Sequence, residues 1–350
     1  MHKHGGDIYG GDVRLDFSAN LNFFGMPESV REAAYRGILN SEHYPDVECR
    51  ELRRAISVHD GIPVEQIVCG NGAADLIFGL VLAKRPKLAV LAAPTFYEYE
   101  QALHMVDCQI RRVYLSEEEG FPYSERILEA LTPEVDMIFL CHPNNPTGQL
   151  LEAELREKIL ARCEACDILL VLDECFTDFL DDEEREKYPW GCAERNYEHV
   201  AVLRAFTKIY AMAGLRLGYA IVPDENLRER LRLVRQPWSV SIPAQMAGAA
   251  ALKEEAYVER FRGVLKEERA WLKGELEKLG ITPIGSHANY IFFRSVEDLT
   301  ERMRREGILI RDCANYEGLH AGYYRIAVRT REENTELIRA LGKVLAQDRR

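Results

Sequence analysis

The sequence predicts an α/β protein in which a large domain holds a mostly parallel sheet, covered by helices on both faces, and a smaller α+β domain follows. Three observations support this prediction. The chain has 350 residues, which is long for one core and suits two domains. Short β-rich apolar runs alternate with amphipathic helical patterns between residues 45 and 240, as in βαβ units. A long helical stretch and a mixed run of strand and helix patterns come after them.

The predicted elements divide the chain into three parts. Residues 1–40 are rich in Gly and Asn, show little core pattern, and are expected to form an N-terminal arm associated with the small domain. Residues 41–240 form the large domain, with strands at "QIVCG", "KLAVLAAP", "VDMIFLCHP", "DILLVLDE", "HVAVLRAF" and "RLGYAIV". The acidic run "DDEEREK" is expected to be a solvated loop.

Residues 241–350 are predicted to form a linking helix and the small domain. The linking helix covers "PAQMAGAAALKEEAYVERFRGVLKEERAWLKGELEKLG" and ends at Gly280, a suitable C-cap residue. The small domain has strand patterns in "ITPIGSHANYIFFR", "ILIRDC" and "YYRIAVR", and helices at "VEDLTERMRREG" and at the end of the chain.

Composition excludes several classes of function. The formal net charge is −12 and no basic patch dominates, so nucleic acid and anionic membranes are not expected partners. No apolar run approaches the ~18 residues of a transmembrane helix, and the N-terminus lacks the apolar region of a signal peptide. The nine scattered cysteines suit a reducing cytoplasm. Cys163 and Cys166 form a lone CxxC without a second pair, so no metal site is predicted.

A glycine-rich turn is the first candidate site. Gly70 and Gly72 end a predicted strand, and a helix begins at once, so backbone N–H groups at the helix start are available to bind a phosphate. Asp75 stands where a dinucleotide-binding motif has its third glycine, which weakens that interpretation. From these residues alone, a phosphate site and a simple tight turn are both open.

Three other strand ends hold polar side chains. Asn145 lies in "HPNNPTGQL", which by itself is turn chemistry, and Asp173 closes an apolar strand in "VLDECF", where its carboxylate needs a partner. Lys208 follows an apolar run and is either a snorkelling surface residue or a buried amine kept for chemistry. Pyridoxal phosphate needs this set, since it combines a phosphate, a ring nitrogen that pairs with a carboxylate, and an aldehyde that bonds to a lysine.

In "NPTG", "DEC" and "TKIYAMAGLRLG", taken in this order and spacing, the whole chain resembles the fold-type I pyridoxal-phosphate enzymes of the aspartate-aminotransferase superfamily. The resemblance implies that pyridoxal 5'-phosphate is the cofactor and Lys208 its covalent, catalytic partner. It assigns Asp173 to the ring nitrogen, Asn145 to the ring hydroxyl and Phe96 to stacking on the ring. The phosphate contacts that it implies are Gly72, Ala73, Ala74, Thr207 and Arg216. Tyr44 resembles the tyrosine that reaches the neighbouring subunit's phosphate, which implies a homodimer with shared sites.

Within the superfamily, the chain resembles two families, the threonine-phosphate decarboxylases of cobalamin biosynthesis and the histidinol-phosphate aminotransferases. Phe176 stands where family aminotransferases usually have a tyrosine, and it cannot hydrogen-bond the cofactor hydroxyl. The stretches "HGGDIY", "DFSANLN", "TFYEYEQAL" and "QPWSVS" are more similar to the decarboxylases. The resemblance therefore favours decarboxylation of O-phospho-L-threonine to (R)-1-amino-2-propanol phosphate. The alternative is transamination of histidinol phosphate or an aromatic amino acid with glutamate and 2-oxoglutarate.

A phosphorylated amino acid with about three negative charges needs several cations in one pocket, and arginines suit both of its anionic groups. Arg311, Arg325 and Arg329 are expected on two adjacent C-terminal strands, and His4 and Asn22 of the arm resemble substrate-phosphate contacts. Surface charge and an unattached terminus are the alternatives for Arg329 and His4.

The bond perpendicular to the cofactor ring is the one that breaks, and its identity is not fixed by sequence. Phosphoserine as substrate, assembly beyond a dimer and closure of the arm on the ligand stay open.

Overall fold

The computed structural model describes residues 4–9, 12–187 and 198–346; the other residues of the predicted arm, 1–3, 10 and 11, lie outside this range. The strands of the described chain are β1 (Leu15–Asp16), β2 (Ile67–Gly70), β3 (Leu88–Ala93), β4 (Gln109–Tyr114), β5 (Met137–Cys141), β6 (Leu169–Asp173), β7 (Val200–Ala205), β8 (Gly218–Ile221), β9 (Pro283–Ile284), β10 (Tyr290–Arg294), β11 (Ile308–Leu309), β12 (Arg311–Asp312) and β13 (Tyr323–Ala327). The helices are α1 (Glu28–Leu39), α2 (Arg50–Asp60), α3 (Ala73–Lys84), α4 (Tyr97–His104), α5 (Arg126–Ala130), α6 (Ala153–Cys166), α7 (Asp182–Lys187), α8 (Phe206–Ile209), α9 (Glu225–Val234), α10 (Ile242–Ala251), α11 (Glu255–Lys278), α12 (Leu299–Arg305) and α13 (Arg331–Leu345).

The central sheet confirms the predicted α/β fold. Its seven strands lie in the order β2-β8-β7-β6-β5-β3-β4, and only β8 runs antiparallel to its neighbours. Alternate residues of each strand point to opposite faces. On one face Ile138 joins a core with Ile159 of α6, and on the other Phe139 joins a core with Leu80 of α3. Both faces are therefore covered, which explains why β5 and β6 are continuous apolar runs.

The small domain has a four-stranded antiparallel sheet in the order β12-β13-β10-β9. Arg311 of β12 lies directly opposite Arg325 of β13 in the register of this sheet. The arm joins the same region, because β1 pairs in parallel with β11 and Leu15 is the partner of Ile308. The arm thus contributes a strand beside the two arginines.

The long linking helix is two helices, and this prediction was wrong. α10 ends at Ala251, and α11 begins at Glu255 after a short turn. α10 packs closely on α1, where a Cβ on Gly37 would lie 2.5 Å from Cα of Pro243. α11 instead packs on the small domain, and one straight helix cannot follow both surfaces. The predicted end of the stretch is correct, because Gly280 has a φ of +81° just after α11.

Two other expectations differ from the structure. The run "DDEEREK" contains α7 instead of a loop. Its acidic side chains lie in the first turn and its basic side chains in the last turn, where each charge interacts favourably with the helix dipole. The arm is not without core pattern, since α1 buries Val30, Ala33 and Ala34. The domain boundaries at residues 40 and 240 stay a prediction. Within the described ranges, no helix is both long and apolar enough to cross a bilayer.

Candidate active site

One cavity lies at the carboxyl ends of the central strands, where open α/β sheets bind ligands. It brings together most of the residues predicted to bind the cofactor. The side chains that line it are Ala73, Ala74, Phe96, Cys141, Asn145, Asp173, Cys175, Phe176, Ala205, Thr207, Lys208 and Arg216. These residues come from segments up to 143 positions apart in the chain, so the central sheet is what assembles the site.

The turn between β2 and α3 forms a cradle of phosphate size. Gly72 has a φ of +82°, and a Cβ at this position would lie 2.6 Å from Nη2 of Arg216. Only glycine lets the guanidinium approach so closely. The N–H groups of Ala73 and Ala74 begin α3, so a helix start and a cation face the same point. The turn thus has both properties that a phosphate requires.

Asp75 explains the departure from the dinucleotide-binding motif. Its Oδ2 accepts a hydrogen bond of 2.9 Å from the backbone N–H of Asn71. The same oxygen lies 2.9 Å from Nη2 of Arg235 on the far side of the turn. A carboxylate therefore fixes the turn from outside, and a third glycine is not needed.

Lys208 is a sheltered amine and does not extend into solvent. It is partly buried, and its amino group lies 5.7 Å from the ring centre of Phe176. Burial lowers the pKa of Lys208, and the charges of Arg325 and Arg216 lower it further, while Cys175 and Asp173 act in the opposite direction. A lysine with a lowered pKa has more of the neutral amine that attacks an aldehyde. Lys208 is therefore not a snorkelling surface residue, and its catalytic role stays a prediction.

Asp173 ends β6 as a buried carboxylate with ordered partners. Its Oδ2 accepts a hydrogen bond of 2.6 Å from the hydroxyl of Tyr99, and its Oδ1 accepts one of 3.0 Å from the backbone N–H of Cys175. The side chain faces the same cavity as Lys208. Each carboxylate oxygen can accept more than one hydrogen bond, so capacity remains for a protonated ring nitrogen.

Asn145 is oriented by an arginine of the small domain. Nη1 of Arg325 donates to Oδ1 of Asn145, and Nη2 of Arg325 donates to the carbonyl of Ser18 at 3.0 Å. Because the amide oxygen of Asn145 faces Arg325, its amide nitrogen is the group left to donate to a ligand oxygen. The turn that holds Asn145 is fixed by Tyr290, whose hydroxyl donates to the carbonyl of Asn144 at 2.7 Å.

Three aromatic residues have different places. Phe96 lines the cavity and makes an edge contact with Tyr99, with ring centres 5.5 Å apart. Phe176 is buried in the cavity wall and packs edge-on against Tyr290. Tyr44 lies on the surface with 80% of its area exposed, and its ring centre lies 4.9 Å from that of Trp238, with the two ring planes tilted. Tyr44 is thus not brought to the cavity of its own subunit.

The predicted substrate arginines fall into two groups. Arg311 and Arg325 are buried and adjacent, and Nη2 of Arg311 donates to Oδ1 of Asn315 at 3.0 Å. Arg329 lies two residues beyond the end of β13, so the expectation that it belongs to a strand is wrong. Its guanidinium forms an ion pair of 2.7 Å with Glu333 and donates to the carbonyl of Asp16 at 3.1 Å. Arg329 therefore links the arm to the start of α13.

The arm places both of its predicted residues near the site. The backbone N–H of Asn22 donates to the carbonyl of Lys208 at 3.0 Å, and its side-chain amide donates to the carbonyl of Ile209 at 2.8 Å. Nδ1 of His4 lies 3.2 Å from Oε1 of Glu98. The arm thus passes along α8, which carries Lys208, and its His4 lies beside α4.

Sequence reasoning missed Glu98 and Tyr99, which both lie in the stretch "TFYEYEQAL". Burial raises the pKa of Glu98, while His4, Lys208 and Arg311 lower it in that order, so the carboxyl group lies within the charge field of the site. A helix that begins directly after Phe96 was the available signal. Tyr99 comes three positions after Phe96, so the two side chains point from the same face.

The residues present fit pyridoxal 5'-phosphate on grounds of this structure. A cradle that leaves no room for a Cβ at Gly72, a buried carboxylate and a sheltered lysine surround one cavity. Gly72, Ala73, Ala74, Thr207 and Arg216 supply the donors that the phosphate needs. Among the described residues, no three or more His, Cys, Asp or Glu side chains are grouped so that they could hold a metal ion.

Comparisons with known proteins agree with this geometry. The sequence profile of the family described as aminotransferase class I and II matches residues 13–341. The threonine-phosphate decarboxylase of Salmonella typhimurium is 41% identical over 338 residues, which cover 95% of this chain and 92% of that protein. The histidinol-phosphate aminotransferase of Methanosarcina mazei is 33% identical over 335 residues, which cover 93% and 87%.

A solved structure has the same fold across almost the whole chain. The histidinol-phosphate aminotransferase from Clostridium acetobutylicum superposes with a TM-score of 0.87 at 29% identity, covering 95% of this chain and 99% of that one. A superposition of this coverage leaves out few residues of either chain.

Proposed function

Because the chain belongs to the aminotransferase class I and II family, whose members use pyridoxal 5'-phosphate, we propose that it decarboxylates O-phospho-L-threonine. The products are CO2 and (R)-1-amino-2-propanol phosphate, as in the formation of the cobalamin side chain. The observation that supports this choice is the 41% identity with a threonine-phosphate decarboxylase over 95% of the chain. The histidinol-phosphate aminotransferase compared above is 33% identical.

Each part of the cofactor has a protein partner in this proposal. Gly72, Ala73, Ala74, Thr207 and Arg216 would hold the phosphate, Asp173 the ring nitrogen, and Asn145 the ring hydroxyl. Phe96 would stack on the ring and Lys208 would bond to the aldehyde. When bound, the cofactor supplies an electron sink for the pair of electrons left at Cα when a bond to Cα breaks. Asp173 would stabilise that charge, because its carboxylate would keep the ring nitrogen protonated.

Lys208 would also be placed to move a proton at Cα of the substrate. Burial lowers its pKa, so more of the amine is neutral at a given pH than for an exposed lysine, and the amine can accept and return a proton. In decarboxylation the Cα–carboxylate bond breaks, CO2 leaves, and a proton takes its place at Cα. Lys208 is the amine of the cavity that can deliver this proton.

The buried arginines support a substrate with two anionic groups. Arg311 and Arg325 lie side by side on neighbouring strands, and they are almost fully buried. Two buried guanidinium groups repel each other, and an anion between them relieves this cost. His4 and Asn22 of the arm, and Arg329 through its link to the arm, complete the proposed set. Fixing the carboxylate on one side of Cα is what would select CO2 loss.

We also propose a homodimer with shared sites in the cytoplasm. Tyr44 and its ring contact Trp238 are both at least half exposed. Beside them on the chain, α1 exposes Tyr35, Ile38 and Leu39, with exposed fractions of 55–80%. Exposed apolar groups of this size favour a protein interface. A second copy seated there would cover them and bring Tyr44 to the partner's cavity.

The alternative function is transamination of histidinol phosphate or an aromatic amino acid with glutamate as donor. It is supported by the solved aminotransferase with a TM-score of 0.87. The two functions differ in the bond to Cα that breaks, since transamination removes the Cα proton and releases no CO2.

The experiment that tests the proposal gives the cofactor-loaded protein O-phospho-L-threonine as its only substrate. We expect CO2 release and an amine with the mass of aminopropanol phosphate, with no need for a keto acid. Lys208→Ala is the matched inactive control, and Lys158→Ala, an exposed lysine of α6, is the active one. If CO2 is absent while histidinol phosphate and 2-oxoglutarate react, the protein is an aminotransferase and the proposal is wrong.

A further inference from the structure

The loop between β12 and β13, residues 313–322, is held together by its own backbone hydrogen bonds. The N–H of Cys313 donates to the carbonyl of Tyr323 at 2.9 Å, which ties the start of the loop to the start of β13. The N–H of Tyr316 donates to the carbonyl of Cys313 at 3.0 Å, and the N–H of Leu319 donates to the carbonyl of Tyr316 at 3.1 Å. A loop bonded in this way can hold its side chains in fixed positions.

The central sheet holds the same loop from outside. The hydroxyl of Tyr114 on β4 donates a hydrogen bond of 2.7 Å to Oε1 of Glu317. Gly318 has a φ of +82°, and a Cβ at this position would lie 3.3 Å from the carbonyl of Ala93 at the end of β3. The loop therefore lies against two strands of the large domain, although it connects two strands of the small domain.

The guanidinium of Arg311 has three contacts with this part of the chain. Its Nη1 donates to the carbonyl of Asp312 at 2.7 Å, and its Nη2 donates to Oδ1 of Asn315 at 3.0 Å. The ring centre of Tyr316 lies 5.2 Å from Cζ of Arg311, within the range of a cation–π contact. Hydrogen bonds from two different nitrogens and a ring beside them fix the orientation of a planar group.

All three groups that contact Arg311 are electrically neutral. Arg311 is only 5% exposed, and no carboxylate of the described residues lies within ion-pair distance of its guanidinium. Arg329 differs, because it forms an ion pair of 2.7 Å with Glu333. A carbonyl, an amide and a ring orient a guanidinium without cancelling its charge, and two of its five N–H groups are used. Charge and donors therefore remain for an anionic ligand.

We propose that Asn315 and Tyr316 are positioning residues, which hold Arg311 in the orientation in which it binds an anionic group of the substrate. They act through Arg311 and need no contact with the substrate. The inference rests on the proposed function, because that function supplies a substrate with two anionic groups. Arg311 provides the attraction, and the two neutral side chains of the loop provide the geometry.

The first test compares steady-state kinetics with O-phospho-L-threonine. Asn315→Ala and Tyr316→Leu should each raise KM about fivefold, while kcat and the dissociation constant of pyridoxal 5'-phosphate stay close to their wild-type values. Tyr316→Phe keeps the ring beside Arg311 and should restore a KM near that of the wild type. His320→Ala, which changes an exposed side chain of the same loop, is the matched control. An unchanged KM in Asn315→Ala, or an equal loss of substrate and cofactor affinity, overturns the proposal.

The second test asks whether the effect passes through Arg311. Arg311→Lys has no planar guanidinium to orient, so Asn315→Ala should add nothing to the rise in KM in that background. Additive losses in the double variant would show that Asn315 acts independently of Arg311, which contradicts a positioning role.

A binding measurement separates this inference from the proposed function. In the cofactor-loaded protein the cofactor phosphate fills the cradle, so added inorganic phosphate reports on the anion site of the substrate. We expect its dissociation constant, measured by isothermal titration calorimetry, to rise about fivefold in Asn315→Ala and to stay unchanged in His320→Ala. This result without CO2 release would overturn the proposed function alone. Equal constants in Asn315→Ala and the wild type, or no detectable binding to either, would overturn the positioning role.

Discussion

The hydroxyl of Tyr99 donates a hydrogen bond of 2.6 Å to Oδ2 of Asp173, and both side chains are buried. Burial raises the pKa of Tyr99 well above its ordinary value, and the charge of Asp173 raises it further, so the hydroxyl keeps its proton and acts as a donor. Tyr99 also stacks on Phe139 of β5 with ring centres 4.7 Å apart. The carboxylate proposed to face the cofactor is thus held by a second layer of packed side chains.

Tyr99→Phe should weaken cofactor binding about tenfold, which corresponds to about 1.4 kcal/mol and lies in the range of a hydrogen bond to a charged group. The reason is that Asp173 loses a donor while the packing of the ring is kept. The measurement is a titration of the apoprotein with pyridoxal 5'-phosphate. Tyr123→Phe is the control, since its hydroxyl donates to the carbonyl of Cys141 at 2.7 Å. Equal losses in the two variants would show a packing effect only.

The lowered pKa of Lys208 predicts the pH dependence of cofactor capture by the apoprotein. Only the neutral amine attacks an aldehyde, so the rate should rise with pH and level off below the ordinary lysine pKa of ~10.4. Arg325→Gln removes a positive charge that lowers this pKa, and its plateau should move to higher pH. Arg294→Gln, an exposed arginine paired with Glu117, should leave the profile unchanged. A shift to lower pH in Arg325→Gln would contradict the electrostatic account.

Arg329→Ala should raise the KM for the substrate while the dissociation constant of the cofactor changes little. Arg329 holds the arm through the carbonyl of Asp16, and the arm leads to His4. The effect should therefore be smaller in a His4→Ala background than in the wild type. Arg331→Ala is the control, because it breaks an ion pair with Glu268 of α11. Equal loss of substrate and cofactor affinity would assign Arg329 to the scaffold.

Glu98→Gln should raise the KM for a phosphorylated substrate about tenfold, or about 1.4 kcal/mol. Without its carboxylate partner, His4 is less firmly fixed beside α4. The double variant with His4→Ala should lose no more than either single variant. Glu100→Gln is the matched control, because this neighbour on α4 pairs with Arg112 at 2.6 Å instead. Additive losses would separate Glu98 from His4.

Much of the fold was predictable because the strands and helices of the large domain have different hydrophobic periods. The six predicted strands all occur in the central sheet, while β4 was missed, since "QIRRVY" at the sheet edge is mostly polar. The break between α10 and α11 left no signal either. No Gly or Pro marks it, and it follows from the two surfaces against which the helices pack.

The sequence by itself determined which residue types stand at the strand ends. Lys208, Asp173, Asn145 and the Gly72 turn could be named because each ends or follows a short apolar run. Only the tertiary structure decided which groups contact them. The bonds from Tyr99 to Asp173 and from Arg325 to Asn145 join residues 74 and 180 positions apart. Such contacts depend on how sheets and helices pack in space, and local periodicity contains no information about them.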